Sequence, residues 1–282
     1  MNTIMNTNDT IMRLLENPGA AKKIKHAAFT WAIEHNDIDA VRELIKDPVI
    51  NPSKYDNNAI ITAIKHRFNE IVEVLIEDGR SVNVDTFRCA AARSNEAIIS
   101  LFIARPNIGS GKNINSALIV AVDNNRPNIV TMLLSHPNVD PCYNKNIVLQ
   151  RAVENKLNDI VSILLADGRV NPGANDNAIL ISSVSWGRHD MVRLLLKDKR
   201  VDPNARAHEA LKIATRYNDA ENVKMLLQRL SLVDGIRIYK QLNFGNSYLS
   251  HMIWCKYLIY RVWLMSLVLE NFPADLHQFI WT

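Results

Sequence analysis

A small residue followed by apolar residues nine, twelve and thirteen positions later recurs along most of the chain. Ala32 leads to Val41, Leu44 and Ile45; Ala63 to Val72, Leu75 and Ile76; Ala90 to Ile99, Phe102 and Ile103. Ala121, Ala152, Ser183 and Ala214 open the same pattern, ending in Leu133-Leu134, Leu164-Leu165, Leu195-Leu196 and Leu226-Leu227. Three residues before each small anchor stands another apolar side chain: Phe29, Ile60, Phe87, Leu118, Leu149, Leu180 and Leu211. That spacing puts it one helical turn away on the same face. Successive anchors are 31 residues apart, except that Ala90 follows Ala63 by 27.

Each module therefore predicts two short helices, the first carrying the apolar residue and the anchor, the second the Val/Ile and Leu/Ile positions. Polar breaks such as His35-Asn36-Asp37, Asn124-Asn125-Arg126 and Trp186-Gly187-Arg188 separate them, with Asn and Gly suited to the left-handed end of a helix. Between modules runs a second punctuation, as in Asp78-Gly79-Arg80, Asp140-Pro141, Asp167-Gly168-Arg169-Val170-Asn171-Pro172 and Asp198-Lys199-Arg200-Val201-Asp202-Pro203. These residues stop a helix and force a projecting turn. The fold predicted is all-α, a solenoid in which successive modules share one long core.

The second halves, such as Ile71-Val72-Glu73-Val74-Leu75-Ile76 and Ile160-Val161-Ser162-Ile163-Leu164-Leu165, resemble the I-V-x-x-L-L segment of the ankyrin repeat. Asp-Gly-Arg-Val-Asn-Pro is similar to that family's G-A-D-V-N. The opening T-P-L-H survives only as its apolar position, with Asn58-Ala59-Ile60-Ile61 and Ser116-Ala117-Leu118-Ile119 in its place. The module is also about two residues short of the usual ~33. The wording of the modules, rich in Asn and Ile, is further similar to ankyrin proteins of giant DNA viruses of amoebae. The resemblance implies an ankyrin-type helix-turn-helix solenoid of about seven full repeats over residues 26–230. Residues 1–25 then form an N-terminal cap or partial repeat, and 231–282 a degenerate C-terminal capping repeat and tail.

In that family hairpin tips and the open side of the first helices line a concave surface that grips a protein partner. Carried onto this chain, the residues two and three after each anchor, with the tips, become candidates for partner contact. They are Tyr55, Lys65, His66, Arg93, Asn124, Tyr143, Asn155, Trp186, Arg188, Arg216 and Tyr217. Further tip positions are Asn57, Asn115, Asn146, Asn177 and His208. Trp, Tyr and Arg most often carry interface energy, so Trp186, Arg188, Arg216 and Tyr217 in adjacent modules form one expected patch. The competing reading for Trp186 is packing over the neighbouring helix turn.

The tail admits other readings. Residues 248–269 are apolar enough to suggest a membrane helix, but Lys256 and Arg261 interrupt the run, so a packed cap is expected. Residues 269–280, with Phe272-Pro273-Ala274-Asp275-Leu276, resemble the opening of an F-box. A substrate-recruiting ubiquitin-ligase subunit and a membrane-tethered binder are thus alternatives to a free-standing scaffold.

Composition narrows the rest. Apolar residues at 48% and charged residues at 22% fit a folded chain, not general disorder. The net charge of +4 is spread out, a hint of an acidic partner without the basic stripe of a nucleic-acid binder. Cys89, Cys142 and Cys255 have neither disulfide nor zinc spacing, and the N-terminus lacks a secretory pattern, so a monomer in the cytoplasm is expected. Asn and Ile each make up roughly a tenth of the chain, above average usage, and read as the trace of an A/T-rich genome. Gly109-Ser110-Gly111-Lys112 lacks the first Gly and the final Ser/Thr of a phosphate loop. The scattered histidines show no ligand pairing, and no nucleophile motif is present. No cofactor and no enzymatic activity are expected.

Overall fold

The computed structural model describes residues 22–229, apart from the side chains of residues 55–57 and 207. The expected N-terminal cap, except residues 22–25, which open the first described helix, and the degenerate C-terminal repeat, the membrane-like run and the F-box-like tail lie outside these residues. Among the described residues there are fourteen helices and no strand. They divide into two compact units, residues 1–169 and 170–282. The first contains α1 (Lys22–Glu34), α2 (Ile38–Leu44), α3 (Lys54–His66), α4 (Asn69–Asp78) and α5 (Val84–Arg93). It continues with α6 (Glu96–Ile103), α7 (Gly111–Asp123), α8 (Pro127–Leu134), α9 (Tyr143–Glu154) and α10 (Asn158–Ala166). The second contains α11 (Ala174–Ser185), α12 (His189–Lys197), α13 (Ala205–Arg216) and α14 (Ala220–Arg229).

Within the first unit each odd-numbered helix packs on the even-numbered helix after it and on the next odd-numbered one, and even-numbered helices pack on even-numbered ones. In the second unit α11 packs on α12 and α13, and α14 on α12 and α13. The apolar rows explain this. Ala32, Ala63, Ala90, Ala121, Ala152, Ser183 and Ala214 are fully buried, as are the apolar residues three positions earlier. Val41, Val72, Ile99, Val130, Val161, Val192 and Val223 are equally buried on the second helices, with Leu or Phe one turn on. The last apolar position is looser: Ile45, Ile103 and Leu165 are only half-buried.

The turn inside every helix pair except α5–α6, where Ser94 has φ −83°, is a repeated device. Asn36, Arg67, Asn125, Lys156, Gly187 and Asn218 take left-handed φ values of 51 to 63°. The N–H after each donates back to the anchor carbonyl, as in Asp37 to Ala32, Phe68 to Ala63 and Asp219 to Ala214, all at 2.9 Å. Together these bonds satisfy the last carbonyls of the first helix in a Schellman arrangement. Left-handed backbone also opens the first helices. Residues 144–146 and 175–177, three in a row, have φ between 49 and 62°. Among the described residues, Asn supplies seven of the thirteen non-glycine residues with positive φ. Its abundance therefore has a conformational use, because Asn tolerates this region far better than most side chains.

Four of the tip residues expected to face a partner do not. Asn115, Asn146, Asn177 and His208 are buried, each under a tenth exposed. The Asn115 Oδ1 accepts from the Asp140 N–H at 2.8 Å, and Asn177 Oδ1 from Asp202 N–H at 2.9 Å, both 25 residues on. His26, at the equivalent place in α1, accepts from the Asn51 N–H at 3.1 Å through Nε2 while Nδ1 faces the Lys22 carbonyl at 2.9 Å. These side chains face the next inter-module loop because its backbone N–H would otherwise be buried without a partner. The module anchored on Ala90 has Val84 at this position, and its 27-residue step dispenses with the left-handed tip. Here α5 starts directly from a reciprocal cap between Asn83 and Thr86. In that loop Asn107 Nδ2 donates to the Val82 carbonyl at 3.1 Å.

The Asp-x-Arg segments between modules are clamps. Arg80 donates to the Ile50 and Ile45 carbonyls at 2.8 and 2.9 Å, with Asp78 steadying the guanidinium at 2.7 Å. Arg169 repeats the arrangement on Val139 and Leu134 at 3.1 and 2.6 Å, steadied by Asp167. In the second unit Arg200 donates to the Val170 carbonyl at 2.6 Å beside Asp198. The planar fork of Arg reaches two carbonyls at once, which Lys does not.

Ten residues before the anchor, each loop presses against the next one. There Ser53 donates its hydroxyl to the Arg80 carbonyl, and the Cys142 Sγ lies 2.9 Å from the Arg169 carbonyl. At Gly111 and Gly173 a Cβ would come within 2.6 and 2.5 Å of the Asn138 and Arg200 carbonyls. Gly111 belongs to the Gly-Ser-Gly-Lys run, so its glycine answers to a neighbouring loop. Gly173 has φ −82°, open to any residue, so contact alone decides there. Gly173→Ala should lower stability by about 1 to 3 kcal/mol. Gly168→Ala, where a Cβ meets nothing within 4 Å, should leave it unchanged or raised by up to about 1 kcal/mol. Urea midpoints of the two variants check the contrast, and equal midpoints refute it.

Acid should loosen the same loops. The hydrogen bond from Lys25 at 2.7 Å, helped by the Val49 N–H, holds the Asp47 carboxyl below its ordinary range against the opposing effect of burial. Arg169 does this to Asp167 and Arg200 to Asp198. A carboxyl lowered by folding stabilises the fold above its unfolded pKa, near 4, and that stabilisation disappears as pH falls through the lower folded value. The urea midpoint should thus be flat from pH 7 to about 5 and fall below about 4. In Asp47→Asn the midpoint should start lower at pH 7 and fall less on acidification; an unchanged acid limb would refute the assignment.

Candidate binding surface

The residues that close each first helix share one structural role, and their chemistry differs from module to module. Lys65 and His66 end α3 and are exposed, as is Arg93 at the end of α5. His66 stacks on Phe68 with ring centroids 5.4 Å apart. Asn124 follows α7 and turns its amide back to the Val120 carbonyl at 2.8 Å, so part of its polar capacity serves the helix end. Asn155 follows α9 and is exposed. Tyr143, 40% exposed, lies at the other end of α9. Tyr55 falls in α3, and its side chain is outside the described set.

In the second unit the structure brings four expected residues to one end of the packed pair α11 and α13. Trp186 closes α11 with 48% of its surface exposed, and Tyr217 closes α13 with 64%. The Arg188 guanidinium lies 4.2 Å from the centre of the Trp186 ring, a cation–π contact that covers one face of the indole and leaves much of the side chain open. Arg216 is exposed beside Tyr217. Packing over the helix turn therefore accounts for only part of Trp186.

Side-chain contacts join the two helices that follow these rings in the chain. His189 Nε2 lies 2.9 Å from both Asp219 carboxylate oxygens, joining the start of α12 to the residue preceding α14. Asp219 also accepts from the Asn222 N–H at 3.0 Å. Burial pushes the Asp219 carboxyl up, but the Asn222 N–H and His189 outweigh it and leave it below the ordinary range. Arg193 bridges Asp190 at 2.8 Å and Glu221 at 3.1 Å. The helices that follow the aromatic residues are thus cross-braced.

One exposed aromatic was not foreseen. Trp31 in α1, 39% exposed, stacks on His35 at 4.1 Å, and His35 Nδ1 lies 2.9 Å from the Trp31 carbonyl. Its position, one before the anchor, is held elsewhere by Thr62, Cys89, Val120, Arg151, Ser182 and Ile213, so the modules share no pattern there to single it out. Among the described residues no group of three His, Cys, Asp or Glu is placed to hold a metal ion, and no helix is long and apolar enough to cross a membrane.

Comparison with known families places ankyrin repeats, described as three copies, on residues 1–86, 87–176 and 149–238. No curated protein matches the chain, and nothing found links it to viruses of amoebae.

Replacing an exposed side chain that only rests on its own turn costs little, usually within about 0.5 kcal/mol. Trp186→Ala and Tyr217→Ala should each shift the thermal midpoint by less than about 2 °C. A drop of 8 °C or more by circular dichroism in either would place that ring in the core and remove it from the surface.

Proposed function

Because the chain belongs to the ankyrin-repeat family, whose repeats are in general protein–protein interaction modules, we propose that it is a non-catalytic scaffold that grips a partner protein. In this reading seven full repeats carry the binding face, residues 1–25 and 231–282 cap them, and the first-helix side, concave in the family, meets the partner. The cytoplasm is the proposed compartment. The supporting observation is the exposed pair Trp186 and Tyr217 with Arg188 and Arg216, followed by two helices that side-chain contacts join. Large rigid aromatics beside cations give the most binding energy per ordered residue, and prior bracing lowers the entropy lost on association.

The test is affinity purification of the tagged full chain from its native cell, in parallel with Trp186→Ala/Tyr217→Ala. A protein retained by the first and depleted at least about tenfold by the second is expected, since two interface anchors together contribute more than about 1.4 kcal/mol. Equal recovery of every retained protein, with the variant folded, would reject this surface as the grip.

A further inference from the structure

Among the described residues of the first unit, six cations are ion-paired and others are not. Lys25, Lys46, Arg80, Arg88, Arg151 and Arg169 each face a carboxylate within 4.0 Å. Lys65, Arg67 and Arg93 are all exposed, and none of the ion pairs among the described residues includes them. They also share one end of two helices that pack side by side, α3 and α5. Burial pushes the Cys89 thiol up, one turn before Arg93 on α5, and Arg93 and Lys65 both oppose it, so both cations lie near that side chain. Arg126 adds a fourth cation, donating to the Ala92 and Ser94 carbonyls at 3.0 and 2.6 Å just past Arg93. The nearest carboxylates in sequence, Glu70 and Glu96, are exposed and make none of these pairs. Glu96 instead turns to its own backbone and to Asn128.

We propose that the helix-end surface of Lys65, Arg67 and Arg93, with the His66–Phe68 stack beside it, docks an acidic peptide segment of a partner protein. The argument is charge complementarity. Like charges gathered on adjacent helix ends repel one another, and an incoming run of carboxylates removes that repulsion while forming charge-assisted hydrogen bonds to Arg and Lys. Geometry sets the spacing. Packed helices lie roughly 8 to 10 Å apart, and a peptide in the polyproline II conformation advances about 3.1 Å per residue and presents every third side chain on one face. Carboxylates about three residues apart therefore meet Lys65 on α3 and Arg93 on α5 together. The Phe68 stack offers an apolar shelf for a side chain between them.

This assignment rests on the scaffold reading but concerns different residues, so the two fail separately. The probe is a fluorescein-labelled ten-residue peptide with Glu at every third position, titrated into the full chain at about 50 mM salt and followed by anisotropy. Expected is a dissociation constant on the order of 100 μM, raised at least tenfold in Lys65→Glu/Arg93→Glu. It should change less than twofold in Arg42→Glu/Lys46→Glu, which alters net charge equally on α2 and the turn after it, and binding should vanish for the Gln version of the peptide. Circular dichroism confirms folding, and Lys65→Gln/Arg93→Gln replaces the first variant if that one unfolds. No binding by the unaltered chain, or equal weakening in both charge reversals, overturns the proposal. So does tighter binding of a ten-nucleotide single strand that is lost with Lys65 and Arg93, which makes the surface one for nucleic acid. Any of these results, with a protein still retained through Trp186 and Tyr217, leaves the scaffold reading in place.

Discussion

A pair of helices of 7 to 13 residues does not enclose a core, so within each unit the modules depend on burying their apolar faces against one another. That contact brings a loop with it at each step, and the loop carries backbone N–H and C=O groups into the seam. A buried polar group without a partner costs on the order of 1 to 3 kcal/mol, comparable to what one fully buried Val or Leu contributes. Stacking is therefore worthwhile only if the seam is satisfied. The chain meets this with a short set of side chains: an acceptor reaching 25 residues ahead, from His26, Asn115 or Asn177, and an Arg reaching 30 residues back, from Arg80, Arg169 or Arg200. The glycines at 111 and 173 admit the close approach that both kinds of bond require.

The apolar rows and the 31-residue step were legible in the sequence because they have a local period. Anchor, preceding apolar residue and second-helix Val can each be read within one window, and all of them are buried. The seam was not legible for the opposite reason. Asn115 and Asn177 stand in polar, turn-like surroundings, where Asn signals an exposed tip. Only the partner N–H, 25 residues away, reveals that they point inward. The same holds for Arg80 and Arg169, whose Asp-Gly-Arg context reads as a helix stop and whose work lies in the preceding module. A repeated polar residue at a fixed offset from an apolar anchor was the signal available. In a chain this rich in Asn it does not stand out.

Division of labour between buried and exposed positions follows from this arrangement. The residues that set the stack lie at fixed offsets and hardly vary in type. Those three after the anchor vary freely: His35, His66, Arg93, Asn124, Asn155, Trp186 and Tyr217. One backbone device, a helix end closed by a bond to the anchor carbonyl and, except after Arg93, by a left-handed residue, thus presents cations in the first unit and aromatic rings in the second. Candidate residues at these helix ends, such as Trp186 and Arg93, emerged exposed, whereas buried tips such as Asn115 and Asn177 proved structural.

Bracing also decides what such helix ends do best. A side chain on a free loop loses backbone as well as rotamer freedom on binding, about 1 to 2 kcal/mol per residue for the backbone alone. At Trp186 and Tyr217 the backbone is already fixed by the bonds from Arg188 to Ser183 and from Asp219 to Ala214, and the helices that follow are joined by the His189–Asp219 and Arg193–Glu221 pairs. Arg188 in turn limits the Trp186 ring. What remains to be ordered is a few side-chain torsions, so most of the area covered by a partner counts toward affinity.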